Sequence, residues 1–343
     1  MVEKRVTLRD IARVSGVHLA TVSRALRNDP QIGAATSREV RGIAEKMGYK
    51  PDPMLVALSA YRSSTRKQEY KATIAWITND FARHGWNNCA TFDLYFKGAR
   101  ERAAQLGYEL EEFWLREPGL SPSRATSILK NREVSGLIVA PQPKAKMRIR
   151  LDWNNFSAVA FGLTTAWPRL NAVTNHHFDS MVSAVRHVRS YGYRRIALVV
   201  HQPHDSRSNH AWMGAYLGQQ QLWPVNQRIP ILTMKGMTLP KFDQWLKTHR
   251  PDAVISYDSF TKILESLGYR IPQDIGFASY LGTSDAETRD HAGIDENAME
   301  TGAVAVDLLV GMIHRGERGI PKVRHYLLVE GTWRDGTTLR RQY

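Results

Sequence analysis

Cysteine is nearly absent. Cys89 is the only one in 343 residues, so no disulfide can close within the chain and no oxidising compartment is required. No apolar run reaches the length of a membrane span, and the N-terminus lacks the continuous apolar segment of a signal peptide. The expected location is cytoplasmic, with no membrane partner. The sequence also lacks G-x-G-x-x-G, Walker A, H-E-x-x-H and G-x-S-x-G patterns, so nucleotide, zinc-protease and esterase chemistries are without their usual signatures. No cofactor is expected. Negative charge is in short supply: Lys plus Arg number 47 against 33 Asp plus Glu, a net charge of +14. That balance suits an anionic partner, nucleic acid above all. The first 66 residues alone hold 12 basic and 6 acidic side chains. With 43% apolar and 23% charged residues, the chain is long enough for more than one soluble domain.

Residues 6–28, VTLRDIARVSGVHLATVSRALRN, read as two short helices joined by a tight turn. Thr7 caps the first, and Asp10 three residues on completes a capping box. Leu8, Ile11 and Ala12 form its apolar stripe. Ser15-Gly16 ends it, and Val17 drops into a small core. In the second helix Ala20 can approach the first, and Val22, Ala25 and Leu26 face inward. Leu19, Thr21, Ser23, Arg24 and Arg27 are left on a short, polar, basic outer face. A helix-turn-helix of this size fits a DNA major groove, although an ordinary helical hairpin has the same pattern. Residues 37–48 supply a third helix with Val40, Ile43, Ala44 and Met47 inward.

The stretches VTLRDIARVSGV, TVSRAL and GYKPDPMLVAL resemble the headpiece of the lactose/galactose repressor (LacI/GalR) family. The resemblance implies that Leu19, Ala20 and Arg24 touch base edges and that Thr21 and Ser23 hold phosphates. Thr7, His18, Arg27, Asn28 and Tyr49 complete the DNA-binding set. It further implies a headpiece over 1–50 and a hinge helix over 51–62, begun by Pro51, with Leu58 as a minor-groove wedge. A linker follows over 63–71. The residues support a wedge independently: MLVAL is apolar and helix-compatible, yet too short to be a core helix alone, and it is flanked by Lys50 and Arg62. A plain linker docking on the next domain is the alternative. The chain departs from the family at Arg27, where asparagine is frequent, and at Gly33, where a serine cap is usual.

From residue 72 onward short apolar runs alternate with amphipathic stretches, the pattern of parallel sheets covered by helices, with sites at the carboxyl ends of strands. Two such series imply two lobes and a cleft. GARERAAQLGYEL, VSGLIVAP, YGYRRIALV, PDAVISYD and GYRIPQDIGFASY resemble the family's periplasmic-binding-protein-like sensor. The expected fold is thus an all-α helix-turn-helix headpiece plus an α/β two-lobed sensor with parallel sheets. Lobe 1 is placed at about 72–170 and 295–322, and lobe 2 at about 171–294 and 323–343. The chain then crosses near 168–175, 293–297 and 322, and VRHYLLVEGTW reads as one closing strand. Effector-binding candidates are the aromatics Phe81, Trp86, Phe92, Phe161 and Tyr280, which can stack on a sugar ring, and Asp93, Arg207 and Asp258, which can bind hydroxyls. Each also has an ordinary structural reading. An arginine and an aspartate usual in such sensors are replaced here by Ala211 and Leu281, and Arg207 stands one turn before Ala211.

His201, His204 and His210, with Asp205 among them, are the best metal candidates, but a solvated loop is the simpler reading and no metal is expected. His176-His177 suits a helix entry. Glu111 and Glu112 look solvent-facing. The leading expectation is a DNA-binding transcriptional regulator, a repressor that is not an enzyme. Its homodimer reads a double-stranded, pseudo-palindromic operator under control of a small-molecule effector of carbohydrate type. The alternatives are a sugar-binding protein for transport on the same two-lobe fold, which leaves residues 1–62 without a purpose, and an enzyme with a DNA-binding appendage. GTWRDGTTLRRQY carries no heptad repeat, so a dimer is the simpler assembly.

Overall fold

A computed structural model describes residues 6–26, 32–49, 72–282 and 288–342. The headpiece consists of α1 (Leu8–Ser15), α2 (Leu19–Leu26) and α3 (Ala34–Lys46). Thr7 and Asp10 form the expected capping box, with the Thr7 hydroxyl donating to Asp10 Oδ2 at 2.6 Å. Gly16 closes α1 in the left-handed region at φ 69°, where a side chain would be strained. Ile11, Val22, Ala25, Val40 and Ala44 make the core, with Val17, Leu26, Ile43 and Met47 packed against it. α3 starts three residues before the expected Ser37. Gly33 occupies the cap without a side-chain bond, and the two alanines after it are strong helix formers. The hinge (51–62), the linker (63–71) and residues Arg27, Asn28, Pro51 and Leu58 lie outside the described residues.

The body alternates strand and helix. Its first part contains β1 (Ala72–Thr78), α4 (Ala90–Gln105), β2 (Tyr108–Trp114), α5 (Pro122–Asn131), β3 (Gly136–Val139), β4 (Met147–Arg148), β5 (Ser157–Phe161), β6 (Thr165–Trp167) and β7 (Asn171–Asn175). The second contains α6 (His177–Ser190), β8 (Ile196–Val200), α7 (Gln202–Arg207), α8 (Ala211–Gln221), β9 (Leu232–Thr233), α9 (Leu239–His249), β10 (Ala253–Tyr257), α10 (Thr261–Ser266), β11 (Gly276–Gly282) and β12 (Gly293–Asp295). The chain closes with α11 (Ala298–Arg315), β13 (Tyr326–Val329) and β14 (Thr332–Arg334).

Two six-stranded sheets result, ordered β13-β7-β5-β3-β1-β2 and β14-β12-β11-β10-β8-β9. Every pairing in them is parallel except β12 with β14, an antiparallel closing edge. The central strands of each sheet are buried on both faces and read as unbroken apolar runs such as IALVV. On one face of lobe 1, α4 and α11 cross closely enough that a Cβ on Gly98 would lie 1.9 Å from the Met299 carbonyl oxygen, and one on Gly302 would lie 2.2 Å from that of Tyr95. Only glycine fits at either place.

The lobe boundaries differ from the sequence expectation. β7 pairs with β5 and β13 pairs with β7, so residues 171–175 and 326–329 belong to lobe 1, not lobe 2. The first crossing follows Asn175, and the last falls at Glu330-Gly331, well after the expected 322. VRHYLLVEGTW is therefore not one strand: its halves join different sheets. Gly331 permits the break, because a Cβ there would meet Ile294 Cγ2 at 2.4 Å and Ser180 Oγ at 2.8 Å. The crossings are tied together. His176 N–H donates to the Val329 carbonyl at 2.8 Å, and Asn297 Nδ2 donates to the Glu330 carbonyl at 2.8 Å and to Thr332 Oγ1 at 2.9 Å.

Candidate nucleic-acid interface and interlobe cleft

In the headpiece the packing of α2 decides which side chains remain outside. Val22 and Ala25 are fully buried between α1 and α3, so Leu19, Ala20 and Arg24 fall on the open side and are exposed, while Thr21 and Ser23 are half-buried. Ala20 does not pack on α1 as its size suggested. His18 is exposed, and its Nδ1 accepts from the Ala20 N–H at 3.3 Å, so the ring caps the first turn of α2. Thr7 is spent on its capping box, and Tyr49 packs against the headpiece core. Arg41, unremarked in the sequence, donates from Nε and Nη2 to the Ala25 carbonyl at 3.4 and 3.3 Å and ties α3 to the end of α2. The outcome is a small three-helix tip that turns Leu19, Ala20 and Arg24 of α2 to solvent.

The cleft is formed by the carboxyl ends of β1, β3 and β5 facing those of β8, β10 and β11. Arg207, at the end of α7 in lobe 2, crosses it. Its Nη1 donates to the Gln142 carbonyl in lobe 1, and its guanidinium lies 5.0 Å from the centroid of Phe92. Burial lowers the Arg207 pKa, opposed by Cys89, Tyr95 and Asp80. Gln142 is itself held: its N–H donates to Thr164 Oγ1 at 3.0 Å, and its Oε1 accepts from Asn79 Nδ2 at 3.0 Å.

At the base of the cleft Tyr95 donates to Asn175 Oδ1, and Asn175 donates to the Glu296 carbonyl. Burial, followed by Glu296, pushes the Tyr95 hydroxyl well above its ordinary pKa. Glu296 Oε1 lies 3.3 Å from His177 Nδ1, and His177, Trp212 and Tyr280 form a ladder with ring separations of 4.6 and 4.8 Å. Asp258 stands 3.6 Å from His291. His201 and His204 sit edge to face at 4.4 Å against Tyr257, and burial, His201 and Arg207 push the His204 pKa down to about 4. Trp212 Nε1 and the Nδ1 atoms of His201 and His204 are buried without a hydrogen-bond partner, while His177 Nδ1 and Glu296 Oε1 face each other. A folded interior satisfies nearly all such groups, so each of these atoms is an exception to the packing around it.

The sequence candidates divide. Phe92, Arg207 and Asp258 lie at the cleft. Trp86, Phe161 and Tyr280 do not offer ring faces to it: they are 5%, 1% and 0% exposed, and those faces are taken by Trp76, Tyr95 and Trp212. Trp86 Nε1 also donates to Glu112 at 2.8 Å, which corrects the reading of Glu112 as solvent-facing. Phe81 is exposed and has two cations near its ring, Arg116 at 4.6 Å and Lys144 at 5.2 Å from the centroid. Asp93 is exposed in the first turn of α4. His177, Trp212, His291 and Glu296 were missed, because a helix entry, an interior tryptophan and a crossing segment carry no local signal of a shared surface. His176 does start α6, its Nδ1 accepting from Asp179 N–H at 3.0 Å. Asp205 turns inward, accepting from His210 Nδ1 at 2.7 Å and Met213 N–H at 3.2 Å. Among the described residues no three His, Cys, Asp or Glu side chains gather closely enough to hold a metal ion, and no helix is long and apolar enough to cross a membrane.

Comparison with known proteins agrees with both parts. Residues 7–52 match the description "Bacterial regulatory proteins, lacI family", and residues 185–337 match "Periplasmic binding protein-like domain". The chain is 25% identical over 332 residues to the HTH-type transcriptional regulator PtxS of Pseudomonas putida, covering 92% of this chain and 91% of that one. It is 24% identical over 231 residues to the lactose operon repressor of Escherichia coli, covering 66% and 60%. A solved Lac repressor dimer bound to operator and the anti-inducer ONPF shares the fold, with a TM-score of 0.56 at 21% identity over 98% of this chain and 100% of that one. So does a complex of the transcriptional regulator CelR with cellobiose, with a TM-score of 0.53 at 17% identity over 97% and 100%.

Proposed function

We propose, since the chain belongs to the lacI family of bacterial regulatory proteins, that it is a repressor whose affinity for a pseudo-palindromic operator is set by a small carbohydrate-like effector held between the lobes. The observation that carries this reading is the joining, in one chain, of a DNA-sized helix face to two lobes bridged by Arg207, which donates to the Gln142 carbonyl and lies over Phe92. Leu19, Ala20 and Arg24 are the base readers in this proposal, Thr21 and Ser23 the phosphate contacts, and Leu58 the wedge at the operator centre. Two copies are needed because one short helix reads one half-site. An effector that bridges Arg207 and Asp258 to lobe 1 biases closure, and operator affinity changes by linkage. That structural neighbours include an operator-bound repressor and a regulator–cellobiose complex supports both halves of the reading.

The test has two steps. Selection from random duplex DNA should return a two-fold symmetric site whose affinity falls steeply with salt. A thermal-shift screen of sugars, sugar acids and sugar phosphates should then return a stabilising ligand that also shifts operator affinity. Failure to enrich any site at any salt concentration overturns the regulator reading. A stabilising ligand with no effect on DNA overturns the linkage.

A further inference from the structure

β13 forms one outer edge of the lobe 1 sheet. On its inner side His325 O accepts from Ala172 N–H at 3.0 Å and Val329 O accepts from His176 N–H at 2.8 Å. In a parallel ladder alternate residues bond to the same neighbour, so Tyr326 and Leu328 direct their N–H and C=O groups away from β7 into the open. Exposed edges are usually blunted by proline, a bulge or charge in the strand itself. β13 is YLLV, with none of these, and Tyr326, Leu327 and Leu328 are 46%, 38% and 47% exposed. Beside it a groove of about 450 Å³ runs between Trp167 and the 320–324 segment. Its charged lining residues are Arg169, Lys322 and Arg324, all cations, and none has an acidic partner among the described residues. Arg324 Nε and Nη2 are buried with no hydrogen bond, although the guanidinium stacks on Tyr326 at 4.4 Å.

We propose that this edge is a docking site for an extended acidic peptide segment of a partner protein, which adds to β13 as a further strand and sets its carboxylates against Arg169, Lys322 and Arg324. Three features select that occupant. Outward backbone groups at every second residue match a strand ladder, apolar side chains between them match alternate apolar side chains, and an all-cationic groove matches carboxylates. A nucleic acid backbone satisfies the third feature alone. The site lies on lobe 1 outside the interlobe cleft, so it is independent of the effector reading.

The experiment uses the full-length protein and a fluorescein-labelled peptide of about nine residues alternating glutamate and valine, read by anisotropy. Three comparison probes are a lysine–valine counterpart, a glutamate–valine peptide N-methylated at alternate amides, and a short random DNA duplex. The glutamate–valine peptide should bind saturably. Binding should weaken at least ~10-fold with the Arg169→Glu, Lys322→Glu double variant and by a similar factor on N-methylation, which removes ladder bonds without altering charge. The lysine peptide should not bind. The N-methylated peptide requires no change to the protein, so a folding defect in the double variant does not blunt the test. Equal binding of the N-methylated peptide, absence of saturable peptide binding, or a duplex that alone responds to the charge reversal would each overturn the proposal.

Discussion

Arg207 ties the two lobes together, and its loss has a calculable effect. Its guanidinium donates across the lobes to the Gln142 carbonyl and lies over Phe92. A charged hydrogen bond contributes about 1.5–3 kcal/mol, and a partly desolvated cation–π contact about 1 kcal/mol. The burial that lowers the Arg207 pKa opposes both, which leaves a net of about 2 kcal/mol for holding the lobes together. For a body of about 270 residues the unfolding entropy is about 0.6 kcal/mol/K, so Arg207→Ala should lower the melting temperature by about 3 °C. The same 2 kcal/mol shifts the balance of open and closed lobes by about 30-fold. Differential scanning calorimetry and small-angle scattering read the two effects, and a cycle with Phe92→Ala isolates the ring contact. We expect a coupling of about 0.5–1 kcal/mol between the two substitutions. Unchanged melting and scattering, or strictly additive substitutions, would show that the arginine spans the cleft without restraining it.

Three further outcomes follow from the geometry. His204 titrates near 4 in the folded chain against an ordinary 6.5, so its neutral form is favoured by folding. Its contribution, on the order of 3 kcal/mol, is full above pH 6.5 and is lost as pH falls toward 4, and His204→Gln should flatten the stability profile across that window in urea titrations. Gly98→Ala places a methyl inside the van der Waals radius of the Met299 carbonyl and should cost at least about 3 kcal/mol, seen as a lost or insoluble lobe 1. Thr7→Ala removes the cap and half of the capping box, so hydrogen exchange in α1 should accelerate by about 5-fold, an effect of about 1 kcal/mol, while exchange in the sensor stays unchanged.

The headpiece was legible because its signals are local. Thr7 with Asp10, Gly16, and the spacing of Ile11, Val22 and Ala25 each act within a turn or two, and each reappears in the packing. The two-lobed alternation was legible for the same reason. What could not be read were decisions made between distant elements. Phe161 and Tyr280 end strands, as ligand-facing aromatics would, but whether a strand-end ring faces outward depends on what packs on it, and Tyr95 and Trp212 come from helices far away in sequence. The last crossing was misplaced because YLLVEGTW has the composition of one strand. Its break is set by Gly331, whose need for close approach shows only against Ile294 and Ser180.

The position of the crossings bears on how an effector signal can reach the headpiece. All three lie side by side, stitched by His176 to Val329 and by Asn297 to Glu330 and Thr332, so they define one hinge line. Residue 72, through which the headpiece is attached, opens β1, which is paired on both sides within lobe 1. Closure of one chain therefore turns lobe 2 about lobe 1 and leaves the attachment point fixed in its own sheet. A single copy offers no second reference against which that point can move. The separation of two headpieces changes only when two chains are held through lobe 2 as well as lobe 1, so that rotation at each hinge becomes a displacement between the two copies of residue 72. In the proposed regulator, then, dimerisation is a condition for response as well as for symmetric reading. Substitutions that separate the lobe 2 surfaces while sparing lobe 1 should leave operator binding measurable and abolish its dependence on effector. A monomer whose operator affinity still answered to effector would require a route through the headpiece that this hinge does not provide.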